Sequence, residues 1–460
     1  MTFKLRAWLL FLIFLNGYVS LSLELIVIRQ LGFYVGSSAV ITSIIIGTFL
    51  GFMSFGYFRG ASPKIPKANV RNMLFASFIT IALMGVLASS FTLISSYFGL
   101  MYSYGIYSIV AQTFLYSLIF LSVAPFLFGF NTALLSRYLH KYNSNYTGNI
   151  MAWDTIGSVL GSLATTLILM PFIGVNYTII MVTVLALVAA FLAKPKLRLI
   201  PVYVIIMIPT FWINSSTFLQ KEHGIIVNNA NSTISVADFP EEKVLFMNGV
   251  SMSFYNPDKR TSAEYINYIN DNFIYNMPRD KKRNILVLGA GGFTAGLDDT
   301  FNNYTFIDIE KTLKDVSEQK FLNEKLTENK VFIVQDASQF LKNTSLNYDL
   351  IILDVYSNSY QVPEDFITAE FMQRIKNRAA PNGIIIMNVI CSPNFADRYT
   401  QLFDNTFRAV FTTNTQRQVV GPSNPWMERT AANVMYIYYN RENDGRIYTI
   451  NKTPVIYDRK

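Results

Sequence analysis

The chain has 460 residues, of which 51% are hydrophobic, one is cysteine and two are histidine. Cys391 alone cannot form a disulfide framework or a cysteine-rich metal site, and His140 and His223 leave histidine catalysis and histidine-ligated zinc almost without candidates, so we expect no metal. Residues 1–215 contain twelve Lys or Arg and two acidic residues, whereas the remainder contains 28 acidic and 26 basic residues. This asymmetry excludes one uniform soluble domain, and because the positive excess lies among apolar runs it does not indicate nucleic-acid binding.

The first half of the chain consists of apolar runs separated by short basic loops. About seven runs approach the roughly 20 residues that a helix needs to cross a bilayer. Lys4 and Arg6 precede the first run as in a signal peptide, but that run continues past Ser22 without a small-residue cleavage site, so we interpret it as an uncleaved helix. Residues 1–215 are therefore predicted to form a multi-span membrane domain with these runs: 8–28, 40–58, 73–94, 106–128, 150–172, 177–192 and 199–213.

Small residues recur within the apolar runs. Gly47 and Gly51 in the second run, and Gly157 and Gly161 in the fifth, have the GxxxG spacing that lets two helices approach closely. We interpret both pairs as helix-packing positions, with a substrate path as the alternative.

The two acidic residues of the membrane half, Glu24 and Asp154, are candidate functional residues. A carboxylate at membrane depth is costly and often marks a cavity, an ion pair or a proton site. Glu24 lies five residues from Arg29, and Asp154 lies near the start of its run. An interfacial position without a function is therefore the alternative for both.

From residue 216 onward, short alternating runs give way to apolar strands that alternate with helices. Runs at 224–227, 233–237 and 244–247 predict a small antiparallel sheet, followed by a helix over 263–274. Near-continuous apolar character in the later strands indicates a parallel sheet that is buried on both faces. These strands are predicted at 284–288, 304–307, 330–334, 350–353 and 383–388, with a closing strand at 434–439.

The predicted fold class is thus an α-helical membrane domain joined to an α/β domain. The α/β domain is a Rossmann-like, doubly wound sheet of the S-adenosylmethionine-dependent transferase type, preceded by the small antiparallel sheet. The predicted domains are 1–215 for the membrane helices, 216–282 for the small sheet and linking helix, 283–440 for the cofactor-binding domain and 441–460 for a tail.

A glycine turn follows the first strand of the α/β domain. Residues 285–292 have the sequence Ile-Leu-Val-Leu-Gly-Ala-Gly-Gly, an apolar strand that leads into a turn before a predicted helix. Gly289, Ala290 and Gly291 would let a ligand approach the backbone near the N-terminal amides of that helix. A purely structural turn is the alternative.

Aspartates stand at the ends of the next three strands. Asp308 follows the second strand, about twenty residues after the glycines, where an acid can accept the ribose hydroxyls of a nucleoside. Asp336 follows the third strand, a position suited to an adenine amino group, and Asp354 follows the fourth. Any one of them could be a helix cap. Three in succession at the carboxyl edge favour adenosine binding.

This order of features resembles the spermidine synthase family, and in particular its membrane-fused branch. Lys243–Gly249 is similar to the strand and turn that precede that family's substrate segment, and Leu288–Gly292 is similar to its glycine motif. Asp308-Ile-Glu310 stands where that family has Glu-Ile-Asp. Gln335-Asp336-Ala337 and the strand that ends in Asp354 are similar to its adenine-side and catalytic segments. Further similarities to the fused branch are Tyr356-Ser357, Val362-Pro363, 368–371, 24–29 and 154–161.

The resemblance implies transfer of an aminopropyl group from decarboxylated S-adenosylmethionine to an amine, with release of methylthioadenosine. Asp354 would orient the amine and accept its proton, Gly289 to Gly291 and Asp308 would hold the nucleoside, and Asp336 with Ala337 would hold the base. Tyr356 and Met252 would lie on the substrate side. The implied partners are a small amine, the lipid bilayer and a second copy of the chain as a homodimer.

Departures from the family pattern leave other functions open. Gly292 and Ser357 stand where soluble members have acids, and Met252 or Ser251 stands where they have a glutamine. A polyamine needs several carboxylates to offset its desolvation, so cofactor binding is better supported than polyamine specificity. One alternative is a methyltransferase that uses intact S-adenosylmethionine on a membrane-delivered substrate. Another is a nucleoside-binding domain of a transporter without turnover.

Loop charges predict the orientation in a bacterial inner membrane. Eleven Lys or Arg fall on the N-terminal side of the runs and Arg29 alone on the other, so the N-terminus is predicted to be cytoplasmic. Seven complete spans would place the soluble half outside, whereas binding of a cytosolic nucleoside requires it inside. The last run is short and contains Pro201 and Pro209, so it is the candidate for a segment that does not cross fully.

Overall fold

The computed structural model describes residues 3–36, 38–64, 69–140, 146–356, 362–421 and 431–442. The chain forms two compact units, Met1–Ala237 with Phe246–Gly249, and Asp238–Leu245 with Val250–Lys460. The first unit is mainly helical, which satisfies the backbone polar groups of apolar segments internally. Its α-helices are α1 (Phe3–Val35), α2 (Ala39–Ala61), α3 (Val70–Ser89), α4 (Phe91–Ser103), α5 (Ile109–Phe120), α6 (Val123–His140), α7 (Tyr146–Ala164), α8 (Met170–Ala193), α9 (Ile200–Ile213) and α10 (Ser216–His223).

Helices of membrane-spanning length account for most of the first unit. Within the described residues, four helical stretches are long and apolar enough to cross a bilayer: Ala7–Val35, Ala39–Ala61, Val70–Ser89 and Thr147–Ala193. Two bent pairs raise the number to six if each is one span: Ile109–Phe120 with Val123–His140, and Leu197–Ile213 with Ser216–His223. The predicted number of seven differs because the fifth and sixth runs lie on one 47-residue stretch, whose backbone is non-helical at Gly174 (φ 84°, ψ 164°).

Close helix packing uses one of the two predicted glycine pairs. A Cβ at Gly157 would contact the backbone oxygen of Phe14, and one at Gly161 that of Tyr18, so α7 packs directly on α1. The prediction for Gly47 and Gly51 is wrong within the described part of the chain, where no atom lies within 4 Å of a Cβ built at either position. The glycines of α2 that do approach another helix, α6, are Gly56 and Gly60.

The C-terminal end of α1 is bonded to a turn of the small sheet. The Arg29 guanidinium donates to the backbone oxygens of Asn229 (2.9 Å) and Ala230 (3.0 Å) and to Thr233 Oγ1 (3.1 Å). Gln30 Oε1 accepts a hydrogen bond from Asn228 Nδ2 at 3.2 Å. Arg29 therefore binds this turn through three oxygens.

Five short strands form the small sheet in chain order. The sequence predicted the first three strands, whereas β4 and the two-residue β5 were not predicted. β1 pairs with β2 and β4 pairs with β5, both antiparallel. The strands are β1 (Ile225–Asn228), β2 (Thr233–Asp238), β3 (Lys243–Met247), β4 (Val250–Asn256) and β5 (Thr261–Ser262).

A seven-stranded sheet forms the core of the second unit. Its order is β8-β7-β6-β9-β10-β12-β11, with β6 to β10 parallel and β12 antiparallel to both of its neighbours. The order reverses between β6 and β9, which is where ligands bind in doubly wound sheets. The strands are β6 (Asn284–Leu288), β7 (Asn303–Asp308), β8 (Lys330–Val334), β9 (Tyr348–Leu353), β10 (Ala379–Cys391), β11 (Thr415–Val419) and β12 (Ala432–Tyr439).

Short helices connect these strands. Predicted helix 263–274 is present as α11, which continues as a π-helical turn over Asn270–Ile274. The apolar faces of α14 and α15 bury Phe371 and Phe403 against the sheet. The helices are α11 (Glu264–Ile269), α12 (Leu313–Val316), α13 (Ala337–Asn343), α14 (Ala369–Lys376) and α15 (Arg398–Val410).

The helix predicted after the glycine turn is not formed. Between β6 and β7 the chain makes a series of turns without an α-helix. Gly291 (φ 50°), Phe293 (φ 60°) and Gly296 (φ 62°) have left-handed backbone conformations that interrupt a right-handed helix. Phe293 is fully buried, with its ring 5.1 Å from that of Phe306, and the helix N-terminal amides predicted at this site are therefore replaced by turn amides.

Candidate active site

The candidate site lies at the carboxyl edge of the large sheet, at its switch point. The last paired residues of β6, β9 and β10 are opposite one another, so the three strands reach this edge together. Gly289, Asp354 and Asn388 each follow directly, on the three adjacent strands. A cavity of about 320 Å³ opens here, and Asp354, Asn388 and Gly291 are among the residues that line it.

The Asp354 carboxylate is held by two hydrogen-bond donors. Tyr265 Oη of α11 donates to Asp354 Oδ2 at 2.8 Å, and Asn388 Nδ2 donates to Asp354 Oδ1 at 2.9 Å. Burial raises the pKa of Asp354, and the hydrogen bonds from Asn388 and Tyr265 oppose that rise. Each oxygen of this carboxylate has one donor and keeps further acceptor capacity, and Asp354 lines the cavity, which suits a group that accepts a proton.

The glycine turn packs directly against Asp354. Gly289 has φ 90°, and a Cβ there would contact the backbone oxygen of Asp354, so this position requires glycine. The amide of Gly292 donates to Ser253 Oγ at 2.8 Å. A Cβ at Gly291 would lie 2.8 Å from the same Ser253 oxygen, so β4 closes one side of the turn.

Asp308 is connected to the glycine turn. Its Oδ2 accepts the amide of Ala290 at 3.1 Å, and its Oδ1 accepts the amide of Glu310 at 3.0 Å. Burial raises the pKa of Asp308, and the backbone hydrogen bonds oppose the rise. Each carboxylate oxygen keeps further acceptor capacity for a ligand hydroxyl.

Asp336 has a structural role that the sequence could not exclude. Its side chain caps α13 by accepting the amide of Gln339 at 2.9 Å, and Ala337 is buried as the first residue of that helix. Two apolar side chains lie exposed nearby on the same edge, Ile309 (69% exposed) and Val334 (50%). Together they form an apolar surface next to Asp308.

Apolar, aromatic and acidic side chains line the rest of the cavity. Met252 and Tyr356 line it, and the Tyr356 hydroxyl donates to the backbone oxygen of Asn388 at 2.8 Å. Glu242 and Glu264 also line it, and the sequence did not indicate either one. Ser357 lies outside the described residues.

Glu24 and Asp154, the two acidic residues predicted from the apolar runs, both lie on helices of the first unit. Glu24 is buried on α1 (7% exposed), and Arg29 binds the β1–β2 turn. Asp154 Oδ2 accepts from Thr132 Oγ1 at 3.0 Å and its Oδ1 from Asn16 Nδ2 at 3.3 Å. Asp154 lies eight residues after the start of α7. Over the described ranges no group of three or more His, Cys, Asp or Glu is arranged to hold a metal.

Comparisons with known proteins give consistent similarities. A profile of the spermine/spermidine synthase domain matches residues 273–432. The chain is 23% identical over 402 residues to polyamine aminopropyltransferase 2 of Aquifex aeolicus, covering 81% of this chain and 77% of that protein. It is 26% identical over 129 residues, or 25% of this chain and 18% of the other, to an eEF1A lysine and N-terminal methyltransferase homolog of Drosophila melanogaster. A solved structure of a probable spermidine synthase from Corynebacterium glutamicum is similar over 48% of this chain and 80% of that one, with 20% identity and a TM-score of 0.38.

Proposed function

We propose that the chain is a membrane-bound aminopropyltransferase, since residues 273–432 match the spermine/spermidine synthase domain. It would transfer an aminopropyl group from decarboxylated S-adenosylmethionine to an amine and release methylthioadenosine. The observation that carries the proposal is the partly buried Asp354 carboxylate, held by Tyr265 and Asn388 beside the glycine turn. The similarity to an aminopropyltransferase over most of the chain supports the same reaction.

The nucleoside would bind along the edges of β6 and β7. Asp308 would accept the ribose hydroxyls, because its oxygens are fixed by the amides of Ala290 and Glu310 and retain lone pairs. Ile309 would cover one face of the base. The Asp336 carboxylate caps α13, so its contribution would be to fix the start of that helix next to the base.

Asp354 would act on the attacking amine. The sulfonium carbon is already electrophilic, so the protein mainly has to hold a neutral amine in line with it. As the nitrogen–carbon bond forms and the carbon–sulfur bond breaks, one amine proton passes to Asp354. The raised pKa of Asp354 makes it a stronger base than a solvated aspartate, and the Tyr265 hydroxyl keeps the carboxylate oriented.

Three carboxylates in one cavity support a cationic acceptor. Glu242 and Glu264 line the same cavity as Asp354. They supply part of the negative charge that the chain lacks at Gly292 and Ser357, where soluble members of the family have acids. A second ammonium group on the acceptor would be attracted to this cavity, which favours a diamine over a neutral amine.

Methyl transfer is the second candidate function. It is favoured by the match to a methyltransferase homolog over about a quarter of the chain. The two reactions differ in their by-product, which is methylthioadenosine for aminopropyl transfer and S-adenosylhomocysteine for methyl transfer. A nucleoside-binding domain without turnover predicts neither product.

The test is to incubate the purified full chain with each sulfonium compound and a series of mono-, di- and triamines. Methylthioadenosine is expected with the decarboxylated compound, and its release should be lost in Asp354→Asn. Asp349→Asn is the matched control. Asp349 lies on the same strand, but its Oδ2 accepts a hydrogen bond from the backbone amide of Asn284 at 2.8 Å. S-adenosylhomocysteine as the sole product, or full activity in Asp354→Asn, would contradict the proposal.

We also propose that the soluble unit is on the cytoplasmic side, with the N-terminus. The 14 residues of α9 extend about 21 Å, less than the roughly 30 Å hydrocarbon core, so α9 would not cross alone. The stretch Thr147–Ala193, with its break at Gly174, is long enough for two crossings, and the total becomes six. Protease should degrade the soluble unit in inverted but not in right-side-out vesicles, and the opposite pattern would refute this orientation.

A further inference from the structure

A polar cluster formed by three membrane helices surrounds Asp154. Asn16 comes from α1, Asn131 and Thr132 from α6, and Asp154 from α7. Asn16, Asn131 and Thr132 are buried. Polar side chains in such a position require a reason, because each costs free energy in an apolar environment.

The cluster lies well inside the helices. Asp154 is eight residues after the start of α7, and Thr132 is eight residues before the end of α6. Asn16 is nine residues after Ala7, where the apolar stretch of α1 begins. At 1.5 Å per residue these offsets are about 12 to 14 Å, counted from the N-terminal ends for Asn16 and Asp154 and from the C-terminal end of α6 for Thr132. In a hydrocarbon core of about 30 Å this depth is near the middle.

The orientation of the Asn16 amide is fixed. Asn131 Nδ2 donates to Asn16 Oδ1 at 3.1 Å, so the Asn16 nitrogen faces Asp154 Oδ1 at 3.3 Å. The second hydrogen on this nitrogen can reach the Phe128 backbone oxygen (3.3 Å) or Thr132 Oγ1 (3.2 Å). Asp154 Oδ1 therefore has a donor in either protonation state of the acid.

Thr132 can serve both protonation states. Its hydroxyl oxygen is 3.0 Å from Asp154 Oδ2 and 3.1 Å from the Phe128 backbone oxygen, but it has only one hydrogen. With Asp154 ionised, the hydroxyl donates to Oδ2 and the second hydrogen of Asn16 can bond Phe128. With a proton on Oδ2, that proton is donated to the Thr132 oxygen, and the hydroxyl hydrogen turns to Phe128. In both protonation states the two oxygens of Asp154 keep a hydrogen-bond partner, and no heavy atom has to move.

A permanently paired structural carboxylate would have a cation beside it. Among the residues that the structure describes, Asp154 forms no salt bridge, and Tyr57 of α2 lies within electrostatic range of it. On the helices packed around Asp154, the titratable or charged side chains that the structure describes are Tyr18, Glu24, Arg29 and Tyr34 on α1, Tyr57 and Arg59 on α2, and Arg137, Tyr138 and His140 on α6.

We infer that Asp154 is a reversible proton-binding site inside the membrane helices, with Thr132 as the hydroxyl that adjusts to the proton. The ligand is a proton, which takes one lone pair of Oδ2 and neutralises the carboxylate. This inference concerns the first unit alone and does not depend on the proposed transferase activity. A failed transferase assay would leave it standing.

The test is infrared spectroscopy of the full chain in lipid bilayers during a pH titration. A protonated-carboxyl band should appear as the pH falls in the native chain and be missing in Asp154→Asn. Thr132→Val removes the donor to the ionised form and also the acceptor for the protonated form. Because a hydrogen bond to a charged group is stronger than one between neutral groups, the ionised form loses more, and the midpoint of the band should move up by about one pH unit, a tenfold change in proton affinity. Thr183→Val is the matched control, because Thr183 makes the same intrahelical bond to Ile179 (2.8 Å) but belongs to α8 and has no such contact with Asp154.

Each outcome bears on the inference. A band that titrates and shifts in Thr132→Val but not in Thr183→Val supports it. The inference is overturned if no titrating band depends on Asp154. It is also overturned if the midpoint is the same in both threonine variants. The threonine variants keep the test valid if Asp154→Asn does not fold.

Discussion

Replacing Tyr265 by phenylalanine should move the pH dependence of the reaction. The substitution keeps the ring and removes the hydroxyl that donates to Asp354 Oδ2 at 2.8 Å. A hydrogen bond to a charged group contributes about 1.5 to 3 kcal/mol. The ionised form of Asp354 loses this contribution and the neutral form does not, so the pKa of Asp354 rises further, by about one to two pH units.

The assay is kcat/KM for methylthioadenosine release as a function of pH. Its acidic limb reports the ionisation of the free enzyme's base, so in Tyr265→Phe the limb should move to higher pH by about one to two units. Tyr356→Phe is the matched control. Its hydroxyl donates to the backbone oxygen of Asn388, so both donors to Asp354 remain and the limb should stay in place.

An acidic limb that stays in place in Tyr265→Phe would refute the reasoning, because Asp354 would then not be the titrating base. Equal shifts in both tyrosine variants would refute it as well. They would show that general loosening of the cavity, and not the loss of a donor to Asp354, moves the profile.

Other substitutions test the buried carboxylate and the close approaches. Asp354→Asn should raise the thermal unfolding midpoint of the second unit at neutral pH, because the raised pKa of Asp354 means that folding disfavours its ionised form; this gain should vanish below a pH of about 4, where the acid is protonated in both states. Gly289→Ala should destabilise by about 2 kcal/mol or more and abolish cofactor binding in calorimetry, since its Cβ meets a backbone oxygen at φ 90°. Gly161→Leu should shift the full chain to aggregates in size-exclusion chromatography because it collides with Tyr18 of α1, whereas Gly47→Leu, with open space around it, should remain monodisperse.

The central strands β6 and β9 of the large sheet were predictable because burial on both faces leaves a continuous hydrophobic run. The edge strand β8 is partly exposed but has an apolar run as well. The bounds of β6 and β8 agree with the prediction to the residue. β11 was missed because its sequence, Thr-Gln-Arg-Gln-Val, belongs to an edge strand with few buried side chains. The helix after the glycine turn was predicted wrongly, because the left-handed conformation of the buried Phe293 is set by packing and not by local propensity.

The candidate site was predictable only in part. Asp308 and Asp354 follow from the rule that ligands bind at the carboxyl ends of parallel strands. The same rule applied to the end of the predicted strand 383–388 would have indicated Asn388, which was overlooked because it is uncharged. Tyr265 could not be found, since it lies on a preceding helix and meets Asp354 only through folding, 89 residues apart in sequence.

Arg29 also has a mechanical consequence. The 33 residues of α1 are about 50 Å long, and a bilayer with a core of about 30 Å can accommodate this length by tilting the helix. Because the guanidinium clamps the turn between β1 and β2 through three oxygens, that turn must follow when α1 tilts. If α1 crosses a bilayer as proposed, a change in bilayer thickness that alters the tilt of α1 would therefore also move the β1–β2 hairpin.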